Sequence, residues 1–211
     1  MADRAILFID GNNWYHSLKA VGQRDLFRLN YVKLATKLLG PRELSGIRYY
    51  IGQVKQQGNP ELYADQRKFV DALKACDPRV SVHFGRLESR PAANPVVKDL
   101  RHLLSTLPVR LDPVVYRALS DLASRHSSPT IVVEKAVDVM LAVDMVVMAE
   151  RDQFDSAYLL SADGDFTPAV DAVRYHNKRV YAVSASKGAQ LASAVNSFIP
   201  IDVQWLAECF D

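Results

Sequence analysis

Two aspartate-containing turns are the sequence features best suited to chemistry. Asp10 directly follows the short apolar run 4–9, and the turn S-A-D-G-D at 161–165 carries Asp163 and Asp165 after another apolar run. In both turns a glycine stands beside an aspartate, which lets the backbone approach a ligand closely. Carboxylate oxygens are the ligands that hard divalent cations prefer. Capping of the following helix is the alternative role for each aspartate taken singly.

The segment 134–148 supplies further acidic residues. It is apolar on nearly every side, which predicts a buried helix, yet Asp138 and Asp144 interrupt it. A buried carboxylate needs a partner. The two aspartates are six positions apart, so at about 100° per residue their side chains point about 120° away from each other. We expect Asp138 to join the acidic cluster, a first-turn dipole contact being its alternative role. Asp144 is expected to support the site by hydrogen bonding to the backbone amides of a loop.

Carboxylates gathered in one place repel each other, by about 4 kcal/mol for a pair at ~4 Å and an effective dielectric near 20. Either raised pKa values or a bound divalent cation offsets this repulsion. Because no Cys or His stands at ligand spacing, Mg²⁺ or Mn²⁺ is favoured over zinc. Such an ion keeps several waters, one of which can attack phosphorus. The expected reaction is phosphodiester hydrolysis by a metal-activated water.

Strand and helix patterns alternate along most of the chain, which predicts an α/β domain with a mostly parallel sheet and helices on both faces. Strands are predicted at 4–9, 46–51, 80–84, 157–161, 179–184 and 198–201, and helices at 14–20, after Asn59-Pro60, at 166–176 and at 188–195. In such sheets ligands bind outside the carboxyl ends of the strands, where the strand order reverses. With the order 3-2-1-4-5, Asp10, Asp163 and Asp165 converge at one end of the sheet.

Residues 86–130 break this alternation and hold five of the ten prolines. Asn94-Pro95 and Asp112-Pro113 each have the pattern of a helix cap followed by a first-turn proline. Apolar residues recur at helical spacing after each, so we predict a helical hairpin inserted into a single domain spanning 1–211. The insertion has seven basic residues against four acidic ones. Either a solvated surface or a face that binds phosphates or a partner would account for this excess.

Composition excludes several classes of protein. The chain has 211 residues, 49% of them hydrophobic and 24% charged, with a formal net charge of +2. These values are typical of a globular domain rather than a disordered or membrane-spanning chain. Because the first strand pattern begins at Arg4, we expect no cleavable leader and a cytoplasmic location. The two cysteines, Cys76 and Cys209, lack C-x-x-C spacing and are expected to be buried thiols.

Four segments together resemble a known family. They are F-I-D-G-N-N (8–13), E-K-A-V-D-V-M-L-A-V-D-M (134–145), L-L-S-A-D-G-D-F-T-P-A-V (159–170) and N-K-R-V-Y-A-V (177–183). In this order they resemble the NYN domain of the PIN-like nuclease superfamily, LabA-like branch, over most of the chain outside 86–130. The resemblance implies a PIN-like three-layer α/β/α sandwich. It also implies an Mg²⁺- or Mn²⁺-dependent endoribonuclease site, with single-stranded RNA as the substrate.

The resemblance also assigns residues. It implies a catalytic and metal-binding cluster formed by Asp10, Asp138, Asp163 and Asp165. Asn13 would support the first acid and Ser161 the later pair. Contacts to a scissile phosphate are expected for Asn12, Lys135 and Thr167.

Two features depart from the family pattern. Ala136 stands where such proteins often carry glycine, which puts the local backbone geometry in question. The proline-rich insertion is also unusual, so the choice of substrate cannot be carried over from relatives. Trp14 and Tyr15, at the start of a helix, are expected to pack against the sheet rather than to stack on bases.

Two other functions stay open. A non-catalytic RNA- or protein-binding module could retain the PIN-like fold without the chemistry. A phosphohydrolase with Asp10 as a covalent nucleophile is the other, although Asn12 stands where that chemistry usually needs a second acid. A homodimer is left open, and no membrane partner is expected.

Overall fold

The structure is a computed structural model that describes residues 3–23, 28–57, 59–91, 94–107, 111–126 and 130–210. The strands are β1 (Arg4–Asp10), β2 (Glu43–Gln53), β3 (Val80–Pro91), β4 (Thr130–Lys135), β5 (Ser156–Leu160), β6 (Arg179–Ser184) and β7 (Ser197–Pro200). The helices are α1 (Gly11–Ala20), α2 (Tyr31–Leu39), α3 (Pro60–Cys76), α4 (Pro95–Thr106), α5 (Pro113–Arg125), α6 (Val137–Glu150), α7 (Thr167–Tyr175), α8 (Ala189–Ala194) and α9 (Val203–Leu206). Short 3₁₀ turns at Gly164–Phe166 and Ala207–Cys209 complete the described elements.

Within the described residues, the strands form one sheet in the order β4-β3-β2-β1-β5-β6-β7. β1 lies between β2 and β5 and is parallel to both, with Ile9 opposite Tyr49 on one side and Leu160 on the other. β3, β6 and β7 extend this parallel arrangement outward. The predicted order 3-2-1-4-5 is therefore confirmed, since the fourth predicted strand is β5. We call the end at which these parallel strands finish the carboxyl end of the sheet, and the opposite end its amino end.

Helices cover both faces of the sheet. Side chains alternate along β1, so Ala5, Leu7 and Ile9 face one apolar cluster while Ile6 and Phe8 face the other. α1, α2 and α3 pack in the first cluster, and α6, α7 and α8 pack in the second. A strand buried on both faces reads as a continuous apolar run, as 4–9 does. The predicted α/β/α sandwich is confirmed.

The structure differs from the predicted elements near residue 134. The predicted helix 134–148 begins only at Val137, because Thr130–Lys135 form β4. The β-branched run T-I-V-V at 130–133 favours an extended backbone. α2 (Tyr31–Leu39) was not predicted, although its apolar positions are buried at helical spacing. None of the described helices combines the length and apolar character needed to cross a membrane.

The chain divides into two compact units, one formed by Met1–Arg86 with Glu134–Asp211 and the other by Leu87–Val133. In the smaller unit, α4 and α5 form the predicted helical hairpin. Asn94 Oδ1 accepts hydrogen bonds from the first-turn amides of α4, and Asp112 Oδ1 does the same for α5. Both helices have a proline in the first turn, as the sequence pattern predicted.

The two cysteines differ from each other. Both carry thiols rather than a disulfide, and Cys209 is buried as expected. Cys76 is exposed at the end of α3, so the expectation of a buried thiol is wrong at that position. The last turn of a helix that covers the sheet still leaves its outer face in solvent.

Candidate active site at the carboxyl end of the sheet

Asp10 is the most deeply placed acidic residue of the predicted cluster. It ends β1, caps α1 and is only 3% exposed. One carboxylate oxygen accepts a hydrogen bond from the Asn13 amide at 3.1 Å, and the other accepts one from Ser161 Oγ at 3.2 Å. Gly11 follows because a Cβ there would lie 2.7 Å from the Tyr50 carbonyl oxygen. These contacts hold the Asp10 carboxylate in one orientation.

The turn after β5 is tied directly to the start of α1. Ser161 Oγ accepts a hydrogen bond from the Asp163 amide at 3.1 Å while it donates to Asp10. Asn13 Oδ1 accepts a hydrogen bond from the Ala162 amide, also at 3.1 Å. Asp163 Oδ1 in turn accepts one from the Asp165 amide at 3.0 Å. Asn13 and Ser161 therefore join the two acidic turns, and they lie where the resemblance implied supporting residues.

The junction between β4 and α6 brings in Asp138. This residue is exposed in the first turn of α6, three positions after Lys135, the last residue of β4. Ala136 between them has φ 68°, a left-handed conformation that glycine adopts far more easily than alanine. Gly85 of β3 lies close against this junction, since a Cβ at Gly85 would lie 2.7 Å from the Lys135 carbonyl oxygen. The local backbone is thus strained at Ala136, the position that the sequence analysis noted as a departure from the family pattern.

The acidic side chains influence one another electrostatically. Burial raises the pKa of Asp10 to about 6, and the charges of Asp138 and Asp163 raise it too, against hydrogen bonds from Asn13 and Ser161 that lower it. Partial burial raises the pKa of Asp138, and the charges of Asp163 and Asp165 add to this. Like charges act in this way only when they lie close together. The structure therefore brings the four predicted aspartates to one end of the sheet.

Glu134 is an acidic residue of the same cluster that the sequence analysis did not assign. Its pKa is raised to about 7, mainly by burial and also by the charges of Asp10 and Asp138. A hydrogen bond from the Gly52 amide opposes this rise. The apolar pattern of 134–148 puts Glu134 at the start of a helix, whereas the β-branched run at 130–133 is the signal that it ends a strand instead. Its hydrogen bond from the Gly52 amide, near the end of β2, places it at the carboxyl end of the sheet.

The residues expected to contact a phosphate lie around this cluster. Asn12 is exposed in the first turn of α1, and Lys135 is half-buried at the end of β4. Thr167 begins α7 two positions after Asp165, and its buried Oγ1 has no hydrogen-bond partner among the described residues. An unpaired buried hydroxyl costs free energy, so a ligand atom or a water that reaches it would be stabilising.

Asp144 supports the site differently from the expected manner. Its Oδ2 accepts hydrogen bonds from Arg48 Nη2 and from the Tyr50 hydroxyl, both at 2.7 Å, rather than from loop amides. Tyr50 also stacks on His83 with ring centroids 4.8 Å apart. The physical reason is that Asp144 lies about two turns after Asp138 and faces the sheet, so strand side chains reach it first. These hydrogen bonds hold α6 against β2, and the stacking of Tyr50 on His83 extends the contact to β3.

The two aromatic residues of α1, Trp14 and Tyr15, differ in burial. Trp14 is fully buried in the core, as expected. Tyr15 is 42% exposed, so the expectation that it packs against the sheet is wrong. Neighbouring positions on a helix point about 100° apart, so only one of the two can face the core.

The donor chemistry of the cluster fits a hard divalent cation. Its side-chain donors are carboxylate oxygens, which suit Mg²⁺ and Mn²⁺. In the part of the chain that the structure describes, no three His, Cys, Asp or Glu side chains are grouped closely enough to hold a metal ion among them. Mg²⁺ often keeps several waters and uses only one or two carboxylates. The arrangement therefore fits a hydrated ion better than a fully protein-bound one.

A parallel α/β/α sandwich with acidic side chains at the ends of β1 and β5 is characteristic of the PIN-like nuclease class. Within that class, the family model of the NYN domain matches residues 4–202, and the chain belongs to the NYN family. A solved structure of a protein of unknown function from Vibrio parahaemolyticus RIMD 2210633 has the same fold, with a TM-score of 0.57. The two chains are 17% identical, and the match covers 96% of this chain and 94% of that one. No curated protein matches the chain.

Proposed function

We propose that this NYN domain is a metal-dependent endoribonuclease that hydrolyses phosphodiester bonds of single-stranded RNA. The observation that carries the proposal is that hydrogen bonds through Asn13 and Ser161 join the acidic turns after β1 and β5 at the carboxyl end of the sheet. Nearby carboxylates there raise the pKa values of Asp10, Glu134 and Asp138. Such repulsion costs free energy in the protein alone, and a divalent cation would offset it. Membership of the NYN family, which belongs to the PIN-like nuclease superfamily, supports a nucleic-acid substrate, for which we propose RNA.

The chain's own residues have distinct roles in this proposal. Mg²⁺ or Mn²⁺, when bound, supplies a water of lowered pKa and stabilises charge on the phosphate. Asp138, Asp163 and Asp165 are more accessible than Asp10 and would hold the hydrated ion, one or two of them directly and the rest through its waters. Asp10 is fixed by two hydrogen bonds and presents an acceptor in a constant position.

Donors for the scissile phosphate lie beside these acids. The Lys135 ammonium carries a positive charge to the end of β4, and Asn12 offers an amide from the first turn of α1. Donors placed in advance stabilise the charge that develops on phosphate oxygens in the transition state. Thr167 Oγ1, which has no partner in the described structure, is a further donor.

The test is cleavage of an end-labelled single-stranded RNA by the purified protein, with Mg²⁺, with Mn²⁺ or with a chelator. We expect internal cleavage that needs one of the metals. Asp163→Asn should lower the rate by about a hundredfold or more. Asp171→Asn is the matched control, since Asp171 is an exposed aspartate farther along α7. Its rate should stay within about twofold of the wild type.

A non-catalytic RNA-binding module is the second candidate. The observation in its favour is that no three acidic or other metal-ligating side chains among the described residues are grouped closely enough to hold an ion. This candidate predicts RNA binding without cleavage in every metal, and equal binding by the wild type and Asp163→Asn. Metal-dependent cleavage that Asp163→Asn abolishes would exclude it.

The geometry disfavours a covalent mechanism through Asp10. The carboxylate is 3% exposed, and both of its oxygens already accept hydrogen bonds. A nucleophile needs access to phosphorus in the correct orientation, and the buried, hydrogen-bonded Asp10 carboxylate has little freedom to reach it. Trapping of a phosphorylated Asp10 with a small phosphoester would reverse this conclusion.

A further inference from the structure

The exposed face of α1 leads directly away from the acidic cluster. Asn12, Tyr15, His16 and Lys19 are all exposed, and Trp14, Ser17 and Leu18 on the opposite face are buried. Positions three, four and seven apart lie on the same side of a helix. The four exposed residues therefore form one row, which we call the α1 stripe. It begins two positions after Asp10.

The α1 stripe combines an aromatic ring with a cation. Tyr15 is 42% exposed, and Lys19 Nζ lies 5.6 Å from the centre of its ring. His16 contacts the same ring edge-on, with centroids 5.3 Å apart. Within the described residues, Lys19 forms no ion pair, so its charge is available to an anion. An exposed aromatic ring beside such a lysine offers a ligand an apolar stacking face and a positive charge at adjacent positions.

This pairing matches the chemistry of an unpaired nucleotide. Single-stranded nucleic acids bind through bases that stack on aromatic rings and through phosphates that contact cations. Asn12 and Lys19 are about 10 Å apart along the helix axis, because each residue rises about 1.5 Å. The stripe thus offers an amide next to the acids, a stacking ring one turn away and a cation one further turn along.

We propose that the α1 stripe binds the nucleotide next to the scissile phosphate, with its base stacked on Tyr15 and its phosphate at Lys19. This inference rests on the proposed function, since it takes the acidic cluster as the place where RNA is cut. It names single-stranded RNA as the occupant because bases in a duplex are paired and stacked on each other, which leaves no base free to lie on Tyr15.

Binding is best measured in the Asp163→Asn background, which should leave the RNA intact. The probe is a fluorescently labelled single-stranded RNA of about ten nucleotides, a length within the usual site sizes. Fluorescence anisotropy should show that Tyr15→Ala raises Kd about 5- to 50-fold. Tyr15→Phe keeps the ring and should stay within about twofold of the parent. Lys19→Gln should reduce the slope of log Kd against log salt by about one phosphate contact.

The matched control is Tyr175→Ala. Tyr175 also contacts a neighbouring histidine, with ring centroids 5.8 Å apart, and is 85% exposed. It ends α7 at the amino end of the sheet, away from the acidic cluster. We expect Kd to change by less than about twofold in this variant. Equal losses for Tyr15→Ala and Tyr175→Ala would overturn the proposal, because any exposed tyrosine would then serve.

Further measurements distinguish a failure of this inference from a failure of the proposed function. A duplex of the same sequence should compete weakly, and equal competition would overturn the assignment to single strands. If the wild type cuts RNA and Tyr15→Ala binds as tightly as its parent, only the inference fails. If no metal supports cleavage and Tyr15→Ala still weakens binding, the proposed function fails and the stripe remains an RNA-binding surface.

Discussion

The two ends of the sheet carry acidic side chains in opposite environments. At the amino end, Arg4 donates hydrogen bonds to Asp155 from its backbone amide at 2.9 Å and from Nε at 3.1 Å. These bonds hold the pKa of Asp155 well below its usual range. A hydrogen bond from Lys178 likewise lowers the pKa of Asp152. Each of these carboxylates therefore has a cation beside it.

At the carboxyl end the acidic side chains have one another as neighbours. Burial and nearby carboxylates raise the pKa of Asp10 to about 6 and that of Glu134 to about 7. The same chain thus lowers the pKa of acids at one end of the sheet and raises it at the other. Paired acids add to the stability of the protein alone, and crowded acids reduce it. Crowded acids of raised pKa are common at functional sites, and this supports the proposal that the carboxyl end carries the active site.

The largest expected difference between the two ends is in RNA cleavage. Asp138→Asn should lower the rate by about a hundredfold or more, because it removes a charge that we propose holds the metal. Asp155→Asn should leave the rate per folded molecule within about twofold. The measurement is initial rates on labelled RNA with Mn²⁺, after circular dichroism has shown that both variants are folded. Similar losses of cleavage rate in the two variants would show that the two ends of the sheet do not differ in function.

The next effect is on stability and concerns the amino end. Arg42 donates hydrogen bonds to Asp3 at 2.7 Å, to the Tyr158 hydroxyl at 2.9 Å and to the Tyr181 hydroxyl at 3.0 Å. Arg42→Met should lower the free energy of unfolding in urea by about 1–3 kcal/mol, because three hydrogen bonds from one guanidinium are lost. Arg42→Lys keeps the charge but not the planar fork, so its loss should be intermediate. An unchanged unfolding midpoint in Arg42→Met would show that the network contributes nothing.

A smaller effect of opposite sign is expected at the carboxyl end. Without metal at pH 8, Asp10→Asn should stabilise the protein by about 1–2 kcal/mol, because it removes a charge that burial and Asp138 disfavour. The folded-state pKa of Asp10, about 6, lies above its ordinary value of 3.8, so the folded protein binds this proton more tightly. The wild type therefore gains stability as the pH falls from about 7 towards 4.

This linkage makes the advantage of the Asp10→Asn variant depend on pH. The difference in melting temperature between variant and wild type should be positive at pH 8 and should shrink as the pH falls to about 5. Thermal melts in a chelating buffer at several pH values measure it. Either of two results contradicts the expected crowding. One is a variant that melts below the wild type at pH 8, and the other is a difference in melting temperature that does not change with pH.

The smallest effect concerns backbone strain beside the cluster. Ala136 has φ 68°, so Ala136→Gly should raise the free energy of unfolding by about 0.5–1 kcal/mol. The control is Ala142→Gly inside α6, where glycine should be destabilising by about 1 kcal/mol. Urea denaturation of both variants measures the pair. Two losses of similar size would mean that the left-handed conformation stores no strain.

Local sequence patterns predicted the parts of the fold that depend on neighbouring residues. The apolar run 4–9 and the glycine-containing turn after it placed Asp10 at a strand end, and S-A-D-G-D did the same for Asp163. Asn94 and Asp112 cap helices with a first-turn proline, as predicted. Capping and periodicity act over three or four residues, so a single sequence contains the information they need.

The differences arise where contacts between distant residues decide. The pattern of 134–148, apolar on nearly every side, predicts a helix that starts at Glu134, but pairing beside β3 keeps 130–135 extended. Asp144 meets Arg48 and Tyr50, which are more than 90 positions away along the chain. No local pattern identifies such partners.

The sequence by itself determined the alternation of strands and helices, the two acidic turns and the capped hairpin, because each depends on the chemistry of adjacent residues. Only the tertiary structure decided that Glu134 joins the acids, that Asp144 binds the side chains of β2 and that Tyr15 faces solvent. Those outcomes depend on which surfaces the sheet and its helices bury together. Burial and charge neighbours are properties of the folded chain, and they set the pKa values that distinguish its two ends.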